Sequence, residues 1–260
     1  MSGLSSILLK LIVTPALITI ATILGRRFGQ SVAGWLIGFP WTSAPVSFFL
    51  TVDHGVPFAA AAARGSIASV AAECAFALTY AWVGRGWPTS VGAATVSFIA
   101  AGLVMQFVVI DTLVLALLMA VLLLITSRSL PRLERPQIRS VAVPAWDLPA
   151  RVLVATSIVL LITTIAPSLG PYGSAVAASF PLFASILAIF AEKNIGHAAA
   201  VDVMRGLLAG LFGYMTFFVV IAVALEPLGF ISFVIAAIAT LLVQAASLAM
   251  LRRRIEMWTS

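Results

Sequence analysis

One acidic side chain stands inside a long apolar run: Glu73, in Ser69-Val-Ala-Ala-Glu-Cys-Ala-Phe76. At the centre of a bilayer an ionised carboxylate costs about 2.5–3.5 kcal/mol even on the lenient insertion scale. Such a group is protonated part of the time, hydrogen-bonded, or turned towards a wet cavity, and that behaviour suits a proton-coupling site. The bland alternative is a neutral acid bonded to a Ser, Thr or Tyr of a neighbouring helix as interhelical glue.

Two prolines carry the next chemistry. Pro40 is followed by Thr42, Ser43 and Ser47, and Pro181 is flanked by Ser179 and Ser185. A proline inside a helix removes one amide donor and clashes with the carbonyl four residues earlier. The carbonyls of Leu36 and Ala177 are therefore expected to lose their usual partners, and Pro45 to do the same to Trp41. In lipid those groups must be satisfied by protein, water or ligand. Pro40, Thr42, Ser43, Pro181 and Ser185 are accordingly candidate solute contacts; a plain kink is the competing reading. Arg64 and Arg205 lie about two turns inside their helices. Each is either a snorkelling or locally paired cation, with Asp202 available to Arg205, or a contact for an anionic solute.

Catalytic chemistry is not in view. The chain has no Ser–Lys pair at a plausible depth, no His–Glu zinc motif and no aspartyl dyad, so it is not expected to be an enzyme. No cofactor is expected. A metal site is not expected either, because His54 and His197 fall in loops assigned to opposite sides of a membrane. Asp111 reads as an interfacial residue, Gln106 as a turn residue and Gln244 as a helix-packing residue.

The elements that must position these groups are written twice. A shift of 141 residues lays Lys10 on Arg151, Gly29 on Gly170, Phe39-Pro40 on Phe180-Pro181, Gly55 on Gly196 and Arg64-Gly65 on Arg205-Gly206. Internal repeats in a membrane chain are the mark of many secondary transporters, whose halves enclose one central site. Glu73 breaks the match, since its counterpart is Tyr214. Spans of about 20 apolar residues are expected at 5–25, 31–51, 57–82, 88–105, 107–126, 150–167, 173–191, 198–225 and 229–251. A single helix over 88–126 would run to about 58 Å, twice the hydrocarbon thickness, so two passes with a turn near Gln106 fit better. The expectation is an all-α polytopic membrane protein of about nine transmembrane helices, with the second and seventh broken by proline. Five helices precede the second copy, an odd number, which makes this an inverted 5+4 repeat. Small-residue stripes, Gly65/Ser69 with Ala68/Ala72 and Gly206/Gly210 with Ala209/Gly213, are expected to pack helices three and eight closely against the broken ones.

The chain divides into a first repeat (1–126), an Arg- and Pro-rich cytoplasmic linker (127–149) with Trp146 as an interfacial anchor, and a second repeat with a basic tail (150–260). With the linker in the cytoplasm, Arg26, Arg27, Arg85, Lys193, Arg205 and Arg252–Arg254 also fall inside, and only Lys10 and Arg64 outside. That gives an outside N-terminus and a cytoplasmic C-terminus. The apolar stretch Ile7–Leu24 is long and no small-residue cleavage site follows, so it is read as a span and not a signal peptide.

Composition agrees. Hydrophobic residues make up 62% of the chain and charged ones 9%, and the mean hydropathy is +1.15. These values exclude an ordinary soluble domain. The net charge of +6 is scattered between apolar runs, which points to orientation in a bilayer and not to nucleic acid. Cys74 is the single cysteine and forms no internal disulfide.

An inverted five-helix repeat whose Pro-broken second helix precedes a small-residue helix resembles secondary transporters of the sodium/proton antiporter and bile-acid-symporter type. The stretch Gly38-Phe-Pro-Trp-Thr-Ser-Ala-Pro-Val-Ser47, then Arg64-Gly65-Ser66, is similar to the antiholin-like glycolate carriers, which have a Pro-Ala-Thr-containing broken helix in that setting. The resemblance implies two discontinuous helices crossing at a solute site, and it carries over to Pro40, Thr42 and Ser43. Cation antiporters carry acidic residues in their broken helices, and this chain does not.

The function expected is transport of a small solute, an organic anion by preference, through alternating access with symport-type proton coupling at Glu73. Sodium is the alternative ion. Net positive charge, Arg64, Arg205 and exposed helix N-termini favour the anion. A cell inner membrane is the expected location, and a homodimer would supply the symmetry the 5+4 arrangement lacks. A non-catalytic membrane subunit or assembly factor is the competing function, and an intramembrane enzyme ranks below it.

Overall fold

Glycine and proline cut the apolar runs into helices. The computed structural model describes residues 3–41, 43–133, 146–165 and 180–259. Over them it contains ten α-helices and no strand: α1 (Gly3–Phe28), α2 (Gln30–Ile37), α3 (Ser43–His54), α4 (Val56–Val83), α5 (Trp87–Met105), α6 (Thr112–Ser129), α7 (Asp147–Ile165), α8 (Leu182–Asn194), α9 (His197–Leu228) and α10 (Ile231–Thr259). Five of these, α4, α5, α6, α9 and α10, are long and apolar enough to cross a membrane. The chain is a helical membrane protein. Most of the linker, Thr42 and the stretch with Gly170, Ala177 and Ser179 lie outside the described residues.

The stretch 88–126 forms two helices, and Gln106 caps the first. Asp111 caps the second, accepting bonds from the amides of Leu113 (2.8 Å) and Val114 (3.3 Å). A short acidic side chain at this position satisfies amides that have no partner within the helix. Gly55 and Gly196, 141 residues apart, precede α4 and α9 with φ of 84° and 123°, a region that other L-residues avoid.

Side-chain contacts fix how the helices run. Ser97 on α5 donates to the Ala75 carbonyl of α4 (3.2 Å), and Gly102 faces Ala72, so the two are antiparallel. Arg64 bonds the Ile110 carbonyl at one end of the bundle and Trp82 bonds that of Ser129 at the other, so α6 runs parallel to α4. His197, opening α9, reaches the Ala81 carbonyl near the end of α4 (3.0 Å). Phe217 meets Phe233 and Gly213 meets Gln244, which makes α10 antiparallel to α9. Asp147, opening α7, binds both Arg26 near the end of α1 and Asn194 at the end of α8. Arg26, Arg151, Lys193 and Arg205 therefore gather at one end of the bundle and Arg64 at the other.

The tightest crossing joins α2 to α9, and the two run parallel. Gly34 lies on Val203 and Leu207, and Gly38 lies on Leu207 and Gly210. A Cβ on Gly38 would stand 2.7 Å from the Gly210 Cα and 2.8 Å from the Leu207 carbonyl oxygen. Backbones approach this closely only between small residues. The α9 stripe thus packs as expected, with Gly34-xxx-Gly38 as its partner. The α4 stripe is different at Gly65, where a Cβ would meet nothing within 4 Å. Gln244 donates to the Trp35 carbonyl (3.2 Å) and Trp35 to Ser247 (3.1 Å), binding α10 to the same unit.

Candidate functional site

Phe39-Pro40-Trp41 and Phe180-Pro181-Leu182 fold into the same local structure. In each, the amide after the proline bonds the carbonyl before it: Trp41 N–H to Phe39 O at 2.8 Å, and Leu182 N–H to Phe180 O at 2.7 Å. Pro181 has φ −75° and ψ 59°, the values of an inverse γ-turn. The proline carbonyl then accepts the first helical bond of the next segment, from Ala44 (3.0 Å) and from Ser185 (2.9 Å). Proline favours this conformation because its φ is fixed and its nitrogen has no hydrogen to lose. Pro40 thus marks a true interruption between α2 and α3, and Pro181 opens α8.

The carbonyl that Pro40 deprives of a partner is that of Leu36. It accepts the Trp41 indole N–H at 2.8 Å and the Phe39 amide at 3.3 Å. Protein, and not ligand, satisfies this group. Pro45, expected to break a bond to Trp41, sits instead in the first turn of α3, where a helix makes no use of the missing amide.

Glu73 is buried on α4, with 7% of its surface accessible. Facing it from α9 is Tyr214, its counterpart at the 141-residue interval. The Tyr214 ring hydroxyl hydrogen-bonds with Ser43, Ser66 and Ser69, and the Glu73 carboxylate acts on it electrostatically. Ser43 is the first residue of α3, so this cluster abuts the first interruption. One turn further along α4, Phe76 packs edge-to-face on Phe180, with ring centroids 5.5 Å apart. Phe180 precedes Pro181, so α4 carries Glu73 between the two proline turns.

The remaining candidates are placed as follows. Pro40 and Pro181 are buried, and Ser185 donates to the Pro181 carbonyl at 2.8 Å. Arg64 bonds the Ile110 carbonyl beyond α5. Arg205 pairs with Asp202 at 2.7 Å and also bonds the Pro131 carbonyl. Each arginine stands nine residues before the Glu73–Tyr214 level on its helix, about 14 Å along the axis. Thr42 lies outside the described residues. Tyr214 and Ser66 had not been singled out as site residues from the sequence, and Ser69 had been seen only as a packing residue. The signal for Tyr214 was its place opposite Glu73 in the repeat.

Two polar clusters lie at the arginine-rich end. Tyr80 donates to Glu192 (2.8 Å), and His197 stands 3.4 Å from the same carboxylate. Asp147 accepts from Arg151 (2.8 Å), Arg26 (2.8 Å) and Asn194 (2.6 Å). Asp147 precedes the span expected from residue 150. Burial pushes its carboxyl up, but the bonds from Arg151 and Arg26 outweigh burial and hold it below its ordinary 3.8. Among the described residues no group of three or more His, Cys, Asp and Glu is arranged to hold a metal ion.

A multi-helix bundle of membrane-crossing length with a buried carboxylate and hydroxyls between interrupted helices defines the class, a polytopic membrane protein with a polar centre. No protein-family model matches the chain, and neither a curated protein nor a solved structure is significantly similar to it.

Proposed function

We propose that this protein is a secondary transporter of a small solute, working by alternating access and coupled to protons through Glu73. The observation that carries the reading is the pair of matching inverse γ-turns, at Pro40 and Pro181, on either side of a buried carboxylate. Helix interruptions at mid-membrane expose backbone groups and half-helix ends to a ligand, and transporters use them in that way.

Two further observations support an inverted 5+4 repeat of nine transmembrane segments. Segments 141 residues apart share their turn and cap geometry. The pairs α1/α7, α4/α9 and α5/α10 also run in opposite directions, as the contacts at Asp147, Ala81 and Gln244 require. In this reading the arginine-rich end faces the cytoplasm of a bacterial inner membrane and the N-terminus lies outside. The linker joins the two halves, and a homodimer completes the symmetry.

The test is reconstitution in liposomes with a trapped pH dye, followed by challenge with small carboxylates, amino acids, ammonium ions and metal cations. Wild type should give a solute-dependent proton flux that Glu73→Gln abolishes with the fold intact. Wild-type coupling in that variant removes Glu73 from the mechanism. Flux with no solute, from folded protein, favours a non-catalytic membrane subunit instead.

A further inference from the structure

The hydrogen-bond directions at the Glu73–Tyr214 level show what kind of solute the cluster accepts. Ser66 donates its hydroxyl proton to the Ala62 carbonyl (3.3 Å) and Ser69 donates to that of Ser66 (2.9 Å). Both oxygens therefore face Tyr214 as acceptors, since a hydroxyl has one proton to give. The Tyr214 proton is in turn taken up by this serine group. Glu73 adds two carboxylate oxygens, which only accept when ionised. The cluster is rich in acceptors and carries negative charge. The guanidinium groups that could reverse this are anchored at the two ends of the bundle, Arg64 on Ile110 and Arg205 on Asp202 and Pro131. Beside the carboxylate on α4 stands Phe76, whose ring has the negative face that attracts ammonium groups.

We infer that the solute is an organic cation, an ammonium ion with an apolar body, exchanged at Glu73 for a proton. This rests on the transporter reading and names the substrate class of the same site. It replaces the anion suggested by the arginine count, because neither arginine is at the site. The balance is simple. The protonated carboxyl releases its proton to one side as the ammonium group takes its place, and the reverse occurs on the other side. The centre stays neutral in both loaded forms. Only the empty carboxylate is charged, and that is the form a low-dielectric centre penalises most. Coupling follows from that penalty without a further device.

Quaternary ammonium ions are the probe, because they keep their charge at every pH and do not leak through lipid as free amines do. Benzyltrimethylammonium and tetraethylammonium, added to proteoliposomes holding a pH dye, should drive proton movement opposite to the solute. Succinate and glycolate should not. Glu73→Gln should abolish the response and Glu73→Asp should keep part of it. Tyr214→Phe should retain coupling while raising the half-saturating ammonium concentration about fivefold, as loss of one hydrogen bond does. If carboxylates and not ammonium ions drive Glu73-dependent flux, the cation class is overturned and the transporter reading stands. If nothing drives flux through folded protein, both fall. Should Glu73→Gln fail to fold, the wild-type solute panel decides the class alone.

Discussion

Glu73 and Tyr214 stand 141 residues apart in the chain, the interval that also separates Pro40 from Pro181, and their side chains interact across the contact between α4 and α9. Residues at matching places in two copies meet only near the axis relating those copies. A double-mutant cycle should detect the link. Glu73→Gln and Tyr214→Phe should be non-additive in thermal stability by about 0.5–3 kcal/mol, the range for side chains sharing one network. Additive effects would show that the two residues act separately.

Gly38 sets the closest approach of α2 to α9. Gly38→Ala should lower the stability of the detergent-solubilised protein by about 1–3 kcal/mol, since backbone lies 2.7–2.8 Å from the new methyl group and cannot easily yield. Gly65→Ala is the control. With open space around it, that change should be neutral or stabilise by about 0.5–1 kcal/mol through helix propensity. Equal losses at both positions would argue against the crossing. Differential scanning fluorimetry is sufficient to compare them.

Trp41 closes the gap that Pro40 leaves in the backbone. Trp41→Phe keeps an aromatic ring against Phe39 but removes the donor to the Leu36 carbonyl. The expected cost is about 1–3 kcal/mol for an acceptor left short of its partner. Unchanged unfolding temperature in Trp41→Phe would mean that water or the Phe39 amide alone satisfies that carbonyl.

Asp147 links the ends of α1 and α8 to the start of α7. Its folded carboxyl titrates below 3.8, so its contribution is fully present above that value and is lost as pH falls through the lower, folded one. Stability should therefore be insensitive to this group between pH 5 and pH 8 and decline only in strong acid. Asp147→Asn should remove the acid-dependent part and cost about 3–5 kcal/mol at neutral pH, because buried Arg151 then lacks its counter-charge. Urea titration at pH 7 and pH 3.5 measures both effects.

The sidedness can be read with single cysteines in a Cys74→Ala background. His54→Cys should react with an impermeant maleimide added to intact cells, and Arg85→Cys should react only after the membrane is opened. The opposite pattern would reverse the assignment made from positive charge.

Helix boundaries were legible because their signals are local. Gly55, Gly196, Pro40, Pro181 and the turn at Gln106 each act through their own φ or missing donor, and spacing alone revealed their repetition. Partners across the bundle were not legible in this way. Gly34 and Gly38 form an ordinary small-residue pair until Gly206 and Gly210 are placed against them. The destination of Arg64 depends on a backbone carbonyl, Ile110, that no residue type announces. Likewise, serines 66 and 69 resemble packing residues until the directions of their hydroxyl protons are known.

The parallel seating of α2 on α9 also bears on how the protein is made. Gly34 and Gly38 emerge from the ribosome early, but the surface they fit, Val203 to Gly210, follows only after residues 39–202 have been synthesised. During that interval α2 enters the bilayer as a short, glycine-notched segment without its mate. The second half of the chain therefore serves as the assembly template for the first. A first half expressed alone should be short-lived, and co-expression of the second half as a separate polypeptide should rescue it.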